Sequence, residues 1–403
     1  MVTADPQLRD SAVSAAHDRF RIIGAGPTGA LLALGLAQQG FVISLRDRLS
    51  AEMLQNRSRA YAITHSSRRL LQDLGLWTAL LDQMEPFRAL RLDDCTAQRT
   101  AWFRLSDLRS ANRGSDAIGW ILDHRPLMRL LLERLQASSQ VSLQLGDASP
   151  VDAVLSDSES REWIVAADGP RSKLRNCARV PFWSHDYQQG CLTAKLRLSG
   201  ADPHCAYELF RPEGPMAVLP VGHDRYQVVW SAPLSRCRDR AASSPAELLS
   251  ALDAILPEGV NAVELLDDPG AFPLELSLAP RLHRGTLLLV GEAGHRCHPV
   301  GGQGLNLCWR DVSDLLHLTL KLREGAVTPK SLPRRYSRRR RFDLVAVLLS
   351  TDLLIRFFSN QRLLLLPFRH LALAMLRHLR WVRRFSLSAM TDGPGSFLNP
   401  LPK

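Results

Sequence analysis

The 403-residue chain predicts an α/β fold: a Rossmann-like nucleotide-binding domain, interrupted by an inserted mixed β-sheet domain and followed by C-terminal helices. Three observations carry that prediction. A glycine-rich turn, GAGPTG at Gly24 to Gly29, follows a short apolar strand near the start of the chain. A second glycine-dense segment, GEAGHRCHPVGGQGLN from Gly291 to Asn306, follows another apolar run far downstream. Between them the pattern shifts from strands alternating with helices to successive β-type runs.

Residues 1–19 include Asp5, Asp10 and Asp18 and lack an apolar core, so they read as a disordered leader rather than a signal peptide. The first part of the nucleotide-binding domain spans 20–184. Phe20 to Ile23 is its first strand, Ala30 to Gln39 continues at helical spacing to Gly40, and Phe41 to Leu45 is the next strand. Glycine allows the tight turn at Gly24, the approach of a diphosphate at Gly26 and close helix–strand packing at Gly29. The helix that starts there presents unpaired N–H groups and a positive dipole end. Asp47 follows about 20 residues later, where a carboxylate accepts hydrogen bonds from a ribose. A bare GxGxxG is weak; inside strand, helix, strand and acid it specifies dinucleotide binding, against the alternative of an ordinary α/β turn.

Helices are expected over 66–81 and 125–136, then a strand from Trp163 to Ala167. The inserted sheet domain, 185–280, contains β-type runs at 192–198, 216–220 and 226–230 and a helix near 245–255. The nucleotide fold resumes over 281–343, with a strand at Leu287 and a helix from Leu305 to Leu320. A helical region occupies 344–403.

An apolar content of 45% in 403 residues supports a large core. The seven scattered cysteines give no disulfide framework and point to a reducing, cytoplasmic compartment. His295, Cys297 and His298 crowd together without the spaced second pair of a zinc site, so no metal is expected. A net charge of +11 comes without a recognition motif or stacking platform for nucleic acid.

Further pieces resemble the flavoprotein aromatic hydroxylases, and within them the ubiquinone-biosynthesis hydroxylases. They are GAGPTG, Arg59-Ala60 with Ile63, HRPLMRLL around Arg125, ADG at Ala167 to Gly169 with Ser172 and Arg175, AYELFRPEGPMAVLPV at Ala206 to Val221, the Gly291 segment, and TDLLIRFFS at Thr351 to Ser359. They keep the family's order from Phe20 to Ser359. The resemblance implies FAD held by Gly24, Gly26, Gly29, Asp47, Arg59, Arg125, Asp168, Glu292, Gly302, Gly304 and Asn306, with His298 and Pro299 facing the flavin ring. Glu292 departs from the aspartate usual in the family, moving the carboxylate by about one bond length.

The implied reaction hydroxylates an electron-rich aromatic ring with NAD(P)H and O₂ through a flavin hydroperoxide, so the cofactor carries the hard chemistry. NAD(P)H has no Rossmann fingerprint of its own here and must visit, by the Asp168 region and nearby arginines. No residue stands out as the base for the phenol; His185 and His223 read as structural. Two rival readings stay open: a flavin-dependent reductase or dehydrogenase of an isoprenoid substrate, and a non-catalytic FAD-containing scaffold in a quinone-biosynthesis complex.

Arg334, Arg335 and Arg338 to Arg341 precede an apolar stretch punctuated by Asp352, Arg356, Arg362, Arg369, Arg377 and Arg380, so no run is long enough to span a bilayer. The sequence predicts packing on the core for 344–359 and peripheral contact with the inner face of a membrane for 361–385. A prenylated phenol, too greasy to leave the bilayer, is the substrate that fits both signals.

Overall fold

The computed structural model describes residues 18–147 and 162–397. The expected leader lies outside the described residues up to 17, and ordered strand already begins at Arg19, one residue before the expected boundary. The strands are β1 (Arg19–Ile23), β2 (Val42–Asp47), β3 (Ala60–Ile63), β4 (Met84–Phe87), β5 (Ala89–Asp94), β6 (Arg99–Arg104), β7 (Gly119–Asp123), β8 (Val141–Leu145) and β9 (Trp163–Ala166). Then come β10 (Trp183–Ser199), β11 (Cys205–Phe210), β12 (Met216–Gly222), β13 (Arg225–Pro233), β14 (Asn261–Leu265), β15 (Gly270–Leu278), β16 (His283–Arg284), β17 (Leu287–Leu289) and β18 (His295–Arg296).

The nucleotide-binding sheet runs β16-β17-β9-β1-β2-β8. Its pairs are parallel except for the short β16 edge, and β1 lies centrally with Ile22 opposite both Leu45 and Val165. The Pro27–Gln38 helix is buried from Gly29 to Ala37, which explains its uniformly apolar sequence: the sheet covers one side and the Gln303–Arg323 helix another. That second contact is close. A Cβ at Gly35 would stand 2.5 Å from Leu316 Cδ1.

The second sheet runs β18-β15-β10-β13-β12-β11-β5-β6, with β14 also on β10. Its extent corrects the expected 185–280 domain, because β5 and β6 lie upstream of that range and β10 starts at Trp183. They join through parallel pairing of β5 with β11, Glu208 lying opposite Leu92. Parallel partners are joined by long crossovers, so local periodicity carries no trace of the pairing. A three-stranded sheet, β3-β7-β4, bridges the two larger ones.

The helix expected over 66–81 is two, His65–Asp73 and Trp77–Leu80, broken at Gly75 with φ +68°. The helical region does not begin at 344 either. One helix runs Leu332–Phe358, and Leu332, Tyr336, Leu344, Val347, Leu348, Ile355 and Phe358 all lie buried along it. The predicted packing of 344–359 on the core is therefore found, as part of a longer element. Among the described residues no helix is long and apolar enough to cross a membrane.

Candidate active site

A cavity of about 1040 Å³ separates the two large sheets. It stands at the top of the roughly 300–1,000 Å³ range of small-molecule sites, a size that suits a large ligand. On the nucleotide-sheet side its walls include Gly24, Gly26, Asp47, Arg48, Asp168 and Lys173; on the other, Phe87, Leu90, Glu208, Leu219, Phe272 and Met390. Tyr61, Glu292, Cys297, Pro299, Gly302 and Gly304 line it as well.

Steric fit shapes the first glycine turn. Gly24 has φ +107°, and a Cβ there would meet Ala167 O at 2.2 Å; one at Gly29 would meet Gly24 O at 1.9 Å. At Gly26 nothing lies within 4 Å of a built Cβ, leaving the backbone open to a ligand. Asp47 Oδ2 accepts the Ala25 N–H at 2.7 Å and Oδ1 the Leu49 N–H at 2.9 Å, so the carboxylate fixes the turn as well as facing the cavity. No side chain caps the helix that starts at Pro27.

Buried charge holds the second turn. Asp311 Oδ2 accepts the Gly291 N–H at 2.8 Å and bonds His295 Nε2 at 2.6 Å, while Arg340 donates to Asp311 Oδ1 at 2.6 Å. Arg340 also pairs with Asp314 and Asp343, and Arg310 with Asp343. Burial pushes the Asp311 and Asp343 carboxyls up, but these cations more than reverse it; Asp343 falls to about 2. The Gln303–Arg323 helix opens from Gly302, at φ +64°, again without a side-chain cap. Two positive helix ends thus meet one cavity.

Of the residues expected at the cofactor, Gly24, Gly26, Asp47, Arg59, Asp168, Glu292, Pro299, Gly302 and Gly304 line the cavity, and Gly29 packs beneath the turn. Besides Gly29, three others do not line it. Arg125 is exposed at the start of the His124–Gln136 helix. Asn306 is buried, its amide spent on Thr64, Ser67, Ala62 O and Gly302 O, so it clamps β3 to the second turn instead of facing a ligand. His298 turns away from the cavity: its Nδ1 accepts the Val300 N–H, its ring packs edge-on against Tyr187, and burial lowers its pKa to about 3, which keeps it neutral.

His185 and His223 are exposed and line no part of the cavity. His295, Cys297 and His298 look in three directions: at Asp311, into the cavity and at Tyr187. Burial raises the Cys297 thiol to about 12, so it is inert.

Sequence reasoning missed four residues. Asp311 and Arg340 are charges interrupting otherwise core-facing helix stripes, a signal visible in the sequence. Tyr61 donates to His124 Nδ1 at 2.8 Å, because His124 Nε2 must donate to Leu54 O at 2.7 Å. Glu208 gave the least warning: β11 is buried throughout, and a carboxylate in its middle is 8% exposed.

The chain's own groups fit FAD. Two uncapped helix N-termini suit a diphosphate and an electron-rich ring edge, and Asp168 Oδ1 is buried without a hydrogen-bond partner on the cavity wall. Residues 19–347 match the family model described as FAD binding domain. The chain is 28% identical to the 3-demethoxyubiquinol 3-hydroxylase of Escherichia coli, covering 84% of this chain and 89% of that one. It is 27% identical to a ubiquinone hydroxylase of Rhodospirillum rubrum, covering 89% and 87%. The crystal structure of p-nitrophenol 4-monooxygenase from Pseudomonas putida superposes with a TM-score of 0.72 at 17% identity, covering 93% of this chain and 98% of that one, which shows a shared fold. This chain belongs to the FAD-binding-domain family and is an FAD-dependent monooxygenase of the aromatic-hydroxylase kind.

Proposed function

We propose that the protein hydroxylates the ring of a prenylated phenol, a quinone precursor, with NAD(P)H as reductant and O₂ as oxygen donor. The observation that carries this reading is the apolar part of the cavity, where Phe87, Leu90, Ile118, Leu219, Leu387 and Met390 offer a greasy lining to a hydrocarbon substituent. FAD, when bound, supplies the activation of dioxygen. The chain's residues do the rest. Gly24 and Gly26 with the Pro27 helix end receive the diphosphate, Asp47 the ribose, and Arg59, Asp168 and Glu292 the remaining polar groups. Pro299, Gly302 and Gly304 border the ring, and the apolar wall keeps water from it.

Delivery of such a substrate favours contact with a membrane surface. Leu363, Leu364, Phe368 and Trp381 are 75%, 87%, 61% and 65% exposed, a concentration of large apolar side chains that monomeric surfaces avoid. Arg362, Arg377 and Arg380 are exposed beside them and complement anionic headgroups. Not every arginine serves this end. Arg369 is buried on Phe357 O and Asn360 O, and Arg340 belongs to the ion network. Replacing Leu363, Leu364 and Phe368 with serine should cut co-sedimentation with anionic liposomes while leaving the cavity intact.

The reaction is tested by mass spectrometry of lipid quinones in a deletion strain. An accumulated prenylphenol lacking one ring hydroxyl supports the reading; an unchanged quinone pool, with purified holoenzyme that consumes no O₂ on a prenylphenol, overturns it.

A further inference from the structure

We infer that Glu208 is the proton acceptor for the substrate's ring hydroxyl, a base that the sequence motifs contain, in the segment Ala206 to Val221, but do not mark as one. The inference rests on the proposed hydroxylation of a phenol. Cross-strand register puts Thr193, Val229, Ala217 and Glu208 in one row, and all four line the cavity. Glu208 is the carboxylate in that row. Its Oε2 accepts the Gly301 N–H at 3.3 Å, joining the substrate sheet to the turn that precedes the Gln303–Arg323 helix. Oε1 makes no hydrogen bond among the described residues, which leaves it open to a ligand hydroxyl.

The surroundings set its proton affinity. Directly opposite stand Leu92 on β5 and Ala217 on β12, both uncharged, and Gly301 offers only an N–H. Asp94 lies two residues along the same face of β5, with Arg369 at 3.9 Å from it; the buried Cys191 thiol on β10 feels both Glu208 and Arg59. Arg59 and Arg296 line the same cavity. Burial pushes the Glu208 carboxyl up to about 7, against a smaller pull from the Gly301 N–H, so near neutrality it both accepts and returns a proton. In the step itself the phenol O–H bond breaks, the proton moves to Glu208 Oε1, and the electron pair stays on the phenolate oxygen. No oxidation occurs there. The added electron density at the ring carbons ortho and para to that oxygen prepares them for oxygen transfer.

The test uses FAD-loaded enzyme, 2-prenylphenol, and the variants Glu208→Gln and Glu208→Asp. Wild-type product formation should rise through an ionisation near neutral pH. Glu208→Gln should lose that limb and about a hundredfold or more in kcat with little change in KM and unchanged flavin content, and Glu208→Asp should keep the limb. A Glu208→Gln enzyme that keeps the limb, or that changes KM alone, overturns the assignment. Infrared difference spectra add a reading independent of turnover. Binding 2-prenylphenol should alter a protonated-carboxyl band that Glu208→Gln lacks, even if the wild type forms no product. Product absent with the band responding sinks the hydroxylase reading alone; an unresponsive band sinks the role of Glu208.

Discussion

Two glycine turns face one cavity and present the same thing to it, an uncapped helix N-terminus, yet they are stiffened mainly by different means. The Gly24–Gly29 turn is held chiefly by contact, with the Asp47 carboxylate tying the Ala25 N–H: Gly29 leaves no room for a Cβ against Gly24 O, and Gly24 none against Ala167 O. The Gly291–Gly302 turn is held by charge, through Asp311, Arg340, Asp343 and Arg310. They touch where a Cβ on Gly291 would come 3.0 Å from Thr28 Cγ2. Anion binding therefore fixes no single construction. Packing serves the turn at the centre of a parallel sheet, where neighbours are dense; ion pairs serve the turn at the domain seam, where helices leave polar gaps.

The comparison breaks most sharply at Arg340. Its removal takes one cation from three acidic side chains, two of them within a few per cent of full burial. Asp311 keeps His295, Asp343 keeps Arg310 and Asp314 keeps Arg339, but the buried carboxylates are left under-compensated, which is costlier than the pair was worth. Arg340→Met should lose about 3–5 kcal/mol in urea denaturation. The Gly291 segment should also loosen, seen as faster amide exchange from Gly291 to Gly304 with the first turn unchanged. Equal exchange at both turns would mean that the network stabilises the molecule generally and not the second turn.

Gly29→Ala is the matching test by contact. The methyl cannot enter without moving backbone, so the cost should lie near the top of the range for overpacking, about 3 kcal/mol. Most of the damage should appear in FAD affinity, which falls by about a hundredfold if about 3 kcal/mol of distortion sits in the bound turn. Titration of apoprotein with FAD, followed by flavin fluorescence, measures it.

How much of this was legible in the sequence follows the same division. The first turn could be read residue by residue, because glycine spacing, strand, helix and acid are all local. Gly302 and Gly304 came instead from the family resemblance of the Gly291 segment, and both line the cavity. Asn306, His298 and Arg125 illustrate the limit: a motif places a residue in the chain, whereas the direction of its side chain depends on which distant groups satisfy it. Thr64 and Ser67 claim Asn306, and Tyr187 draws His298 aside. The β5–β11 pairing and the cavity-facing place of Glu208 were invisible, although the residue sits in the Ala206 to Val221 motif, because they come from long-range register. The arginines of the last helices were half legible: Arg362 and Arg380 are exposed as expected, but Arg369 is consumed by backbone carbonyls.

The smallest expected effect separates the turns by acid. Asp343 has its carboxyl depressed to about 2: burial opposes ionisation, but Arg310 and Arg340 favour it more strongly. A depressed carboxyl adds stability that is present above its unfolded value of roughly 4 and lost as pH falls through the folded value. The shift corresponds to about 2 kcal/mol, released between roughly pH 4 and pH 2. Asp311 is depressed by His295 and Arg340 against its own burial and adds loss of the same sign. Wild type should therefore lose stability over that window faster than Asp343→Asn, whose amide has no proton to gain. The first turn has one carboxylate, Asp47, beside a steric lock at Gly29 that acid does not touch, whereas the second rests on a network of buried ion pairs. Acid should therefore loosen the second turn more, with amide exchange at Gly291 to Gly302 rising further than that at Gly24 to Gly29. Parallel stability curves for wild type and Asp343→Asn would show that the ion network is not what holds the second turn, and the contrast between the two turns would reduce to one of packing alone.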